Sequence, residues 1–191
     1  MKAIQVFCGS NKGKDSVYAS GAKDLGQILA QKGIQLVYGG GNVGLMGILA
    51  DSVLAAGGTV VGVIPYFLRD REVCHEGLTE LVVVNSMAER KLLMAERSEG
   101  VIALPGGYGT LDELFEVLTL AQLGQYPYPI GIWNIGGFYD HLLSLVEHIY
   151  HERFLKEIHK NLLLYSDDIA VLIGKMSNYK ALSAEGKWLH K

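Results

Sequence analysis

Short apolar runs alternate with helical apolar patterns along nearly the whole chain, and that alternation leaves few folds open. Residues 3–8, 34–38, 59–64, 80–84, 101–104, 130–133 and 162–165 read as strands. Residues 17–32, 45–56, 87–98, 111–123, 138–150 and 167–176 read as helices. The clearest is 111–123, where Leu111, Leu114, Phe115 and Leu118 recur at helical spacing. Strands that are apolar on both faces need cover on both sides, and strands alternating with helices supply it as a parallel sheet. The expected fold is therefore α/β, a Rossmann-like doubly wound, mostly parallel sheet with helices on both faces. Residues 65–79 are mixed in charge, lack periodicity and read as a loop. A single nucleotide-binding domain is expected over 1–191, with a loosely held tail after about residue 177. In such a sheet ligands bind beyond the carboxyl ends of the strands.

Composition narrows the function. The chain has 191 residues, 49% hydrophobic and 19% charged, with a net charge of −3, so it carries no bulk basic excess for nucleic acid. Cys8 and Cys74 form neither a disulfide framework nor a metal-binding pair, which fits a reducing cytoplasm. The first ten residues lack a signal-peptide pattern. The apolar run 59–68 is about half of the ~20 residues that span a bilayer. A soluble, cytoplasmic protein with neither membrane nor nucleic-acid partners is expected.

Two glycine clusters follow strands. Gly39, Gly41 and Gly44 spell GxGxxG ahead of a helix, a context suited to an anion at a helix N-terminus. The next strand supplies no acidic residue for a ribose, and this is not the first strand-to-helix turn, so NAD is disfavoured. Gly9 and Ser10, with Gly40 and Gly41, make a possible phosphate or nucleotide loop. The second cluster, Pro105-Gly106-Gly107-Tyr108-Gly109-Thr110, opens an amphipathic helix and is the stronger anion cradle. The lysine of a P-loop is absent. Thr110 and Glu113 also spell a capping box, in which Glu113 would only bond backbone. Ser86 and Glu89 spell another.

Arg90 and Lys91 follow in the first turns of that helix, where cations oppose the helix dipole. A solvated basic pair and a pair facing an anion both remain open. The six histidines read as surface residues; with no ligand set, no metal is indicated. Cys8 reads as a buried small hydrophobe.

Taken together, VFCGS at 6–10, VYGGGNVGLMG at 37–47, ERK at 89–91, ALPGGYGTLDEL at 103–114 and AQLG at 121–124 resemble the Lonely Guy family of cytokinin riboside 5′-monophosphate phosphoribohydrolases. Bacterial relatives often carry the label "putative lysine decarboxylase". The resemblance covers roughly residues 3–165. It implies that Arg90 and Glu113 are the catalytic pair and that 107–113, including Gly107, Tyr108, Gly109 and Thr110, hold phosphate and ribose. It implies that Glu72, Lys91 and Thr119 complete the site and that the protein is a homodimer. Ala88 stands where the family usually has His, and Leu120 where it usually has Trp; both bear on the base.

The expected reaction is hydrolysis of the N-glycosidic bond of AMP or a cytokinin-type nucleotide, with no cofactor. Glu113 would stabilise an oxocarbenium-like ribose and Arg90 the leaving purine. A non-catalytic nucleotide or molybdenum-cofactor carrier is the alternative. The decarboxylase label would need a pyridoxal phosphate lysine, for which Lys91 is the one candidate.

Overall fold

The structure, a computed structural model, describes residues 1–69 and 74–181. Seven strands form one sheet: β1 (Ala3–Phe7), β2 (Gln35–Tyr38), β3 (Val60–Pro65), β4 (Glu80–Val84), β5 (Val101–Ala103), β6 (Ile130–Trp133) and β7 (Leu163–Ser166). Their spatial order is β4-β3-β2-β1-β5-β6-β7, and every pairing is parallel. The expected α/β doubly wound architecture is the one found.

Among the described residues seven α-helices lie between the strands and an eighth follows β7: α1 (Ser16–Gln31), α2 (Gly44–Ala55), α3 (Tyr66–Arg69), α4 (Met87–Glu96), α5 (Tyr108–Gln122), α6 (Asp140–His151), α7 (Glu157–Lys160) and α8 (Ile169–Ser177). Two hydrophobic layers sandwich the sheet. Leu25, Leu29 and Leu49 of α1 and α2 pack on one face, joined by Leu172 of α8. Leu114 and Val117 of α5, with Met94 of α4, pack on the other. Each layer removes apolar area from water at about 25 cal/mol per Å², the main favourable contribution to folding.

The sequence reading needs three corrections here. The span 65–79 is not all loop, because β3 continues to Pro65 and α3 follows. The second is α7, a single turn too short for its periodicity to register. The third concerns cover. β4 is an edge strand with Leu81 and Val83 exposed, so its apolar run does not lie between two helical layers.

Strand order reverses direction between β1 and β5: the chain adds β2, β3 and β4 on one side of β1, then β5, β6 and β7 on the other. A crevice opens outside the strand carboxyl ends at such a point. Three loops meet there. Gly9 N–H donates to the Pro105 carbonyl at 3.0 Å, and Leu45 N–H donates to the Gly9 carbonyl at 3.0 Å. The turns after β1, β2 and β5 are thereby tied into one surface.

Candidate active site

The site begins with the turn into α5. Gly107 is the N-cap, with extended backbone and no side-chain cap. The N-cap therefore supplies no side-chain acceptor to the first N–H groups of α5, which give this end of the helix a partial positive charge. The capping box expected from Thr110 and Glu113 does not form. The helix starts at Tyr108, which places Thr110 inside its first turn, buried and packed beneath Gly106. A Cβ at Gly106 would collide with the Thr110 hydroxyl. By contrast, a Cβ at Gly107 or Gly109 would meet no protein atom within 4 Å, so these two positions keep open space before the helix. Tyr108 is 95% exposed at the rim. The adjoining cavity, about 220 Å³, is lined by Gly9, Ser10, Lys12, Gly106 and Gly107, with Tyr18 and Phe138 as walls.

Glu113 lies further along the same helix, buried, and accepts a hydrogen bond from Arg90 Nη2 at 3.3 Å. Arg90 is 6% exposed, which removes the solvated-pair reading of this residue. Its Nε has no hydrogen-bond partner among the described residues. The N-cap of α4 is Ser86, whose side chain accepts from Glu89 N–H at 3.1 Å while the Glu89 side chain accepts from Asn85 N–H at 2.8 Å. Ser86 thus caps α4 as expected, while Glu89 bonds the N–H of Asn85, one residue before the N-cap, in place of the Ser86 N–H of a full capping box. One residue on, Arg90 turns inward over the end of β2. There Gly39 makes room: a Cβ at this position would collide with Arg90 Nη2.

Lys91 bridges α4 to α5 through Asp112, at 3.0 Å, and Glu116. Partial desolvation pushes its pKa down. Hydrogen bonds to Glu116 and Asp112, with their negative charge, outweigh that and hold it above the usual lysine range. These carboxylates answer the dipole objection raised by a basic pair in a first turn. They also make Lys91 a poor Schiff-base lysine, which must react as the neutral amine. The residues present do not fit a pyridoxal phosphate centre.

Other expected residues fall in different places. Gly40 and Gly41 are buried and held by the segment after residue 73: His75 N–H donates to the Gly40 carbonyl at 3.1 Å, and Gly41 forms a bridge with Cys74. Glu72 lies outside the described residues. Thr119 is exposed, and its hydroxyl donates back to the Phe115 carbonyl at 2.7 Å. Within this chain it is not beside Arg90 and Glu113; it lines a separate hollow with Leu155 and His159. Burial pushes the Cys8 thiol pKa up and keeps it protonated, as its reading as a small hydrophobe requires.

The histidine reading needs correction at two positions. His75 is buried, with Nε2 3.0 Å from Asp51 and Nδ1 accepting from Gly77 N–H. His159 is buried too, and desolvation lowers its pKa. Among the described residues no group of three or more His, Cys, Asp or Glu could hold a metal ion. The sequence reading missed Lys12 as a site residue and, at Gly39, the role rather than the residue. Lys12 was legible as a lysine soon after the β1 glycine. The task of Gly39, housing Arg90, had no local signal.

The family described as "Possible lysine decarboxylase" matches residues 46–176. Cytokinin riboside 5′-monophosphate phosphoribohydrolase LOG5 of Arabidopsis thaliana is 41% identical, over 98% of this chain and 84% of that relative. The enzyme of the same name, LOG, of Oryza sativa subsp. japonica is 44% identical over 93% of this chain and 74% of that relative. The chain belongs to the Lonely Guy family. Solved structures give the same fold at lower identity. The molybdenum cofactor carrier protein of Chlamydomonas reinhardtii matches with TM-score 0.67 and 20% identity over 92% of this chain and 95% of that one. The molybdenum cofactor binding protein of Rippkaea orientalis matches with TM-score 0.65 and 22% identity over 92% and 94%. At that distance the likeness carries the fold and says nothing about ligand.

Proposed function

We propose that this family member is a phosphoribohydrolase. It cleaves the N-glycosidic bond of AMP or a cytokinin riboside 5′-monophosphate to free base and ribose 5-phosphate. The observation that carries the reading is the buried Arg90–Glu113 pair beside an uncapped helix N-terminus at the strand-order switch. The phosphate lies against the open positions Gly107 and Gly109, with the Gly9-Ser10 turn and Lys12 opposite. That grip, remote from the reacting bond, positions the sugar over Glu113.

As the bond to the base stretches, positive charge develops on the ribose. The Glu113 carboxylate stabilises it and orients the attacking water. Electron density passes to the leaving purine, which Arg90 stabilises; its Nε–H, without a partner among the described residues, is a buried donor that a ligand acceptor can satisfy. Arginine stays protonated, so its role is electrostatic. A carrier protein would leave a buried ion pair of this kind without a task. The test is chromatographic: free base and ribose 5-phosphate appear from AMP or an N6-substituted AMP, and their absence overturns the reading.

The Gly39 contact supplies a sharper test. Gly39→Ala displaces only the flexible tip of Arg90, so the melting temperature should move by a few degrees at most. Base release should fall by at least about tenfold, because a displacement near 1 Å at a reacting group has large kinetic cost.

The protein is further proposed to be a cytoplasmic homodimer. Leu81 and Val83 on the β4 edge, and Leu92 on α4, are exposed apolar residues that a second copy would cover. Light scattering at micromolar concentration should give about twice the chain mass. No helix among the described residues is long and apolar enough to cross a membrane.

A further inference from the structure

The turn into α5 is braced from behind by the turn after β6. There Gly136 and Gly137 adopt positive φ, at 59° and 72°, a reversal that glycine enters without a Cβ penalty. Two aromatic residues follow. Phe138 walls the cavity before α5, and its ring meets Tyr18 edge to face at 5.8 Å between centroids. Tyr139 is 2% exposed, with its ring centroid 4.9 Å from that of Phe138. Its N–H donates to Asn134 Oδ1 at 2.7 Å, and Asn134 Nδ2 donates to Asp140 Oδ1 at 2.7 Å.

The Tyr139 hydroxyl donates to the Leu104 carbonyl at 2.6 Å. Burial pushes the phenol pKa up, so the hydroxyl keeps its proton and its donor role. Leu104 follows β5 and directly precedes Pro105-Gly106-Gly107. Proline has no N–H, so the peptide group between Leu104 and Pro105 can be held only through its carbonyl. Tyr139 supplies that hold. The next peptide group is held by Gly9, whose N–H donates to the Pro105 carbonyl at 3.0 Å. Two fixed peptide groups therefore lead into Gly106 and Gly107. Phenylalanine at 139 would fill the same space, so the hydroxyl serves the backbone rather than the packing.

We infer that Tyr139 is a positioning residue for the 5′-phosphate, fixing through Leu104 the turn that aims the first N–H groups of α5 at the anion. The inference rests on the phosphate-cradle part of the phosphoribohydrolase reading. Tyr139 acts through the turn, since its hydroxyl is engaged with the backbone. A buried carbonyl that loses its donor shifts toward water or another partner, and here the shift passes directly to Gly106 and Gly107. A displacement of about 1 Å there misaims the phosphate and, with it, the sugar.

The experiment measures kcat/KM for AMP and for adenosine in the wild-type chain, in Tyr139→Phe and in Tyr126→Phe. Tyr126 is the control. It is also buried, its hydroxyl bonds Ser98 and Gln5, and it precedes β6, at the opposite end of the strands from the cradle. The AMP-to-adenosine ratio isolates the phosphate, because a general loosening of the fold lowers both values alike. In Tyr139→Phe the ratio should fall by about tenfold, the scale of weakening one charge-assisted hydrogen bond, while the value for adenosine holds. In Tyr126→Phe the ratio should hold. If Tyr139→Phe fails to fold, judged by its thermal melt, Asn134→Ala replaces it, since that change frees the Tyr139 backbone and should lower the ratio by more than about twofold. A ratio within about twofold of wild type in the folded variant overturns the inference, and so does an equal fall in Tyr126→Phe. Both results leave the hydrolase reading intact. A wild-type ratio near one overturns the phosphate cradle and this inference with it. A wild-type chain that releases base from neither substrate overturns the hydrolase reading as well.

Discussion

Replacing Glu113 with glutamine is expected to reduce base release by about 100-fold or more, the scale of losing a positioned charge-stabilising or acid–base group. Glutamine keeps the shape, and its carbonyl oxygen can still accept from Arg90 Nη2. It lacks the negative charge that a ribosyl cation needs. Burial of the pair adds a second expected effect. Arg90 is 6% exposed and would lose a counter-charge, which costs on the order of 3 kcal/mol. In a chain of this length that lowers the melting temperature by roughly 10 °C. The two effects separate in a double variant, Arg90→Met with Glu113→Gln. Removing both charges should recover much of the lost stability, because the penalty comes from the unpaired ion. Turnover should stay low in both single variants and in the double, with losses that do not add. A double variant that recovers stability and also turns over near the wild-type rate would make the pair a structural ion pair only. Glu89→Gln is the contrasting case: its side chain serves the α4 cap, and an amide oxygen can still accept from Asn85 N–H, so turnover should hold.

The second large effect concerns the 5′-phosphate. Adenosine should be a poorer substrate than AMP by about 10²–10⁴ in kcat/KM. A Cβ at Gly107 or Gly109 would meet open space, and the N-cap Gly107 supplies no side-chain cap to the first N–H groups of α5. Two charge-assisted hydrogen bonds to a phosphate, at ~1.5–3 kcal/mol each, account for that range. The loss should appear in kcat as well as KM, because binding energy at a remote group helps to position the reacting bond. Equal kcat/KM for the two substrates would remove the phosphate from this turn. Lys12 is exposed, so its share should weaken as salt is added, whereas the backbone contribution should persist.

Residues close in sequence were read well when a local rule governed them. Ser86 caps α4 through the Glu89 N–H as expected, because three residues bring the N-cap side chain to the N3 backbone in any helix start. Thr110 and Glu113 show the same spacing and do something else. Gly107 starts the helix three residues earlier, after which Thr110 packs under Gly106 and Glu113 turns to Arg90. The spacing alone could not choose, because a glycine N-cap leaves no side-chain signal. Arg90 and Lys91 were legible as a basic pair. Their opposite fates, one buried against Glu113 and one bridging to Asp112 and Glu116, depend on which face of α4 meets α5.

By itself, the sequence determined the alternating parallel architecture and the presence of glycine turns at strand ends. It also determined the residue types at the center of the site. Periodicity, burial on two faces and turn chemistry are properties of short segments, so they can be read without knowing where those segments go. The tertiary structure alone decided that β4 is an exposed edge and that Gly39 makes room for Arg90. It also decided that His75 and His159 are buried and that the Tyr139 hydroxyl reaches the Leu104 carbonyl behind the turn into α5. Each of these is a contact, or a missing contact, between elements far apart in the chain. Such relations depend on strand order and helix facing, which are settled by packing the whole sheet and its two layers at once.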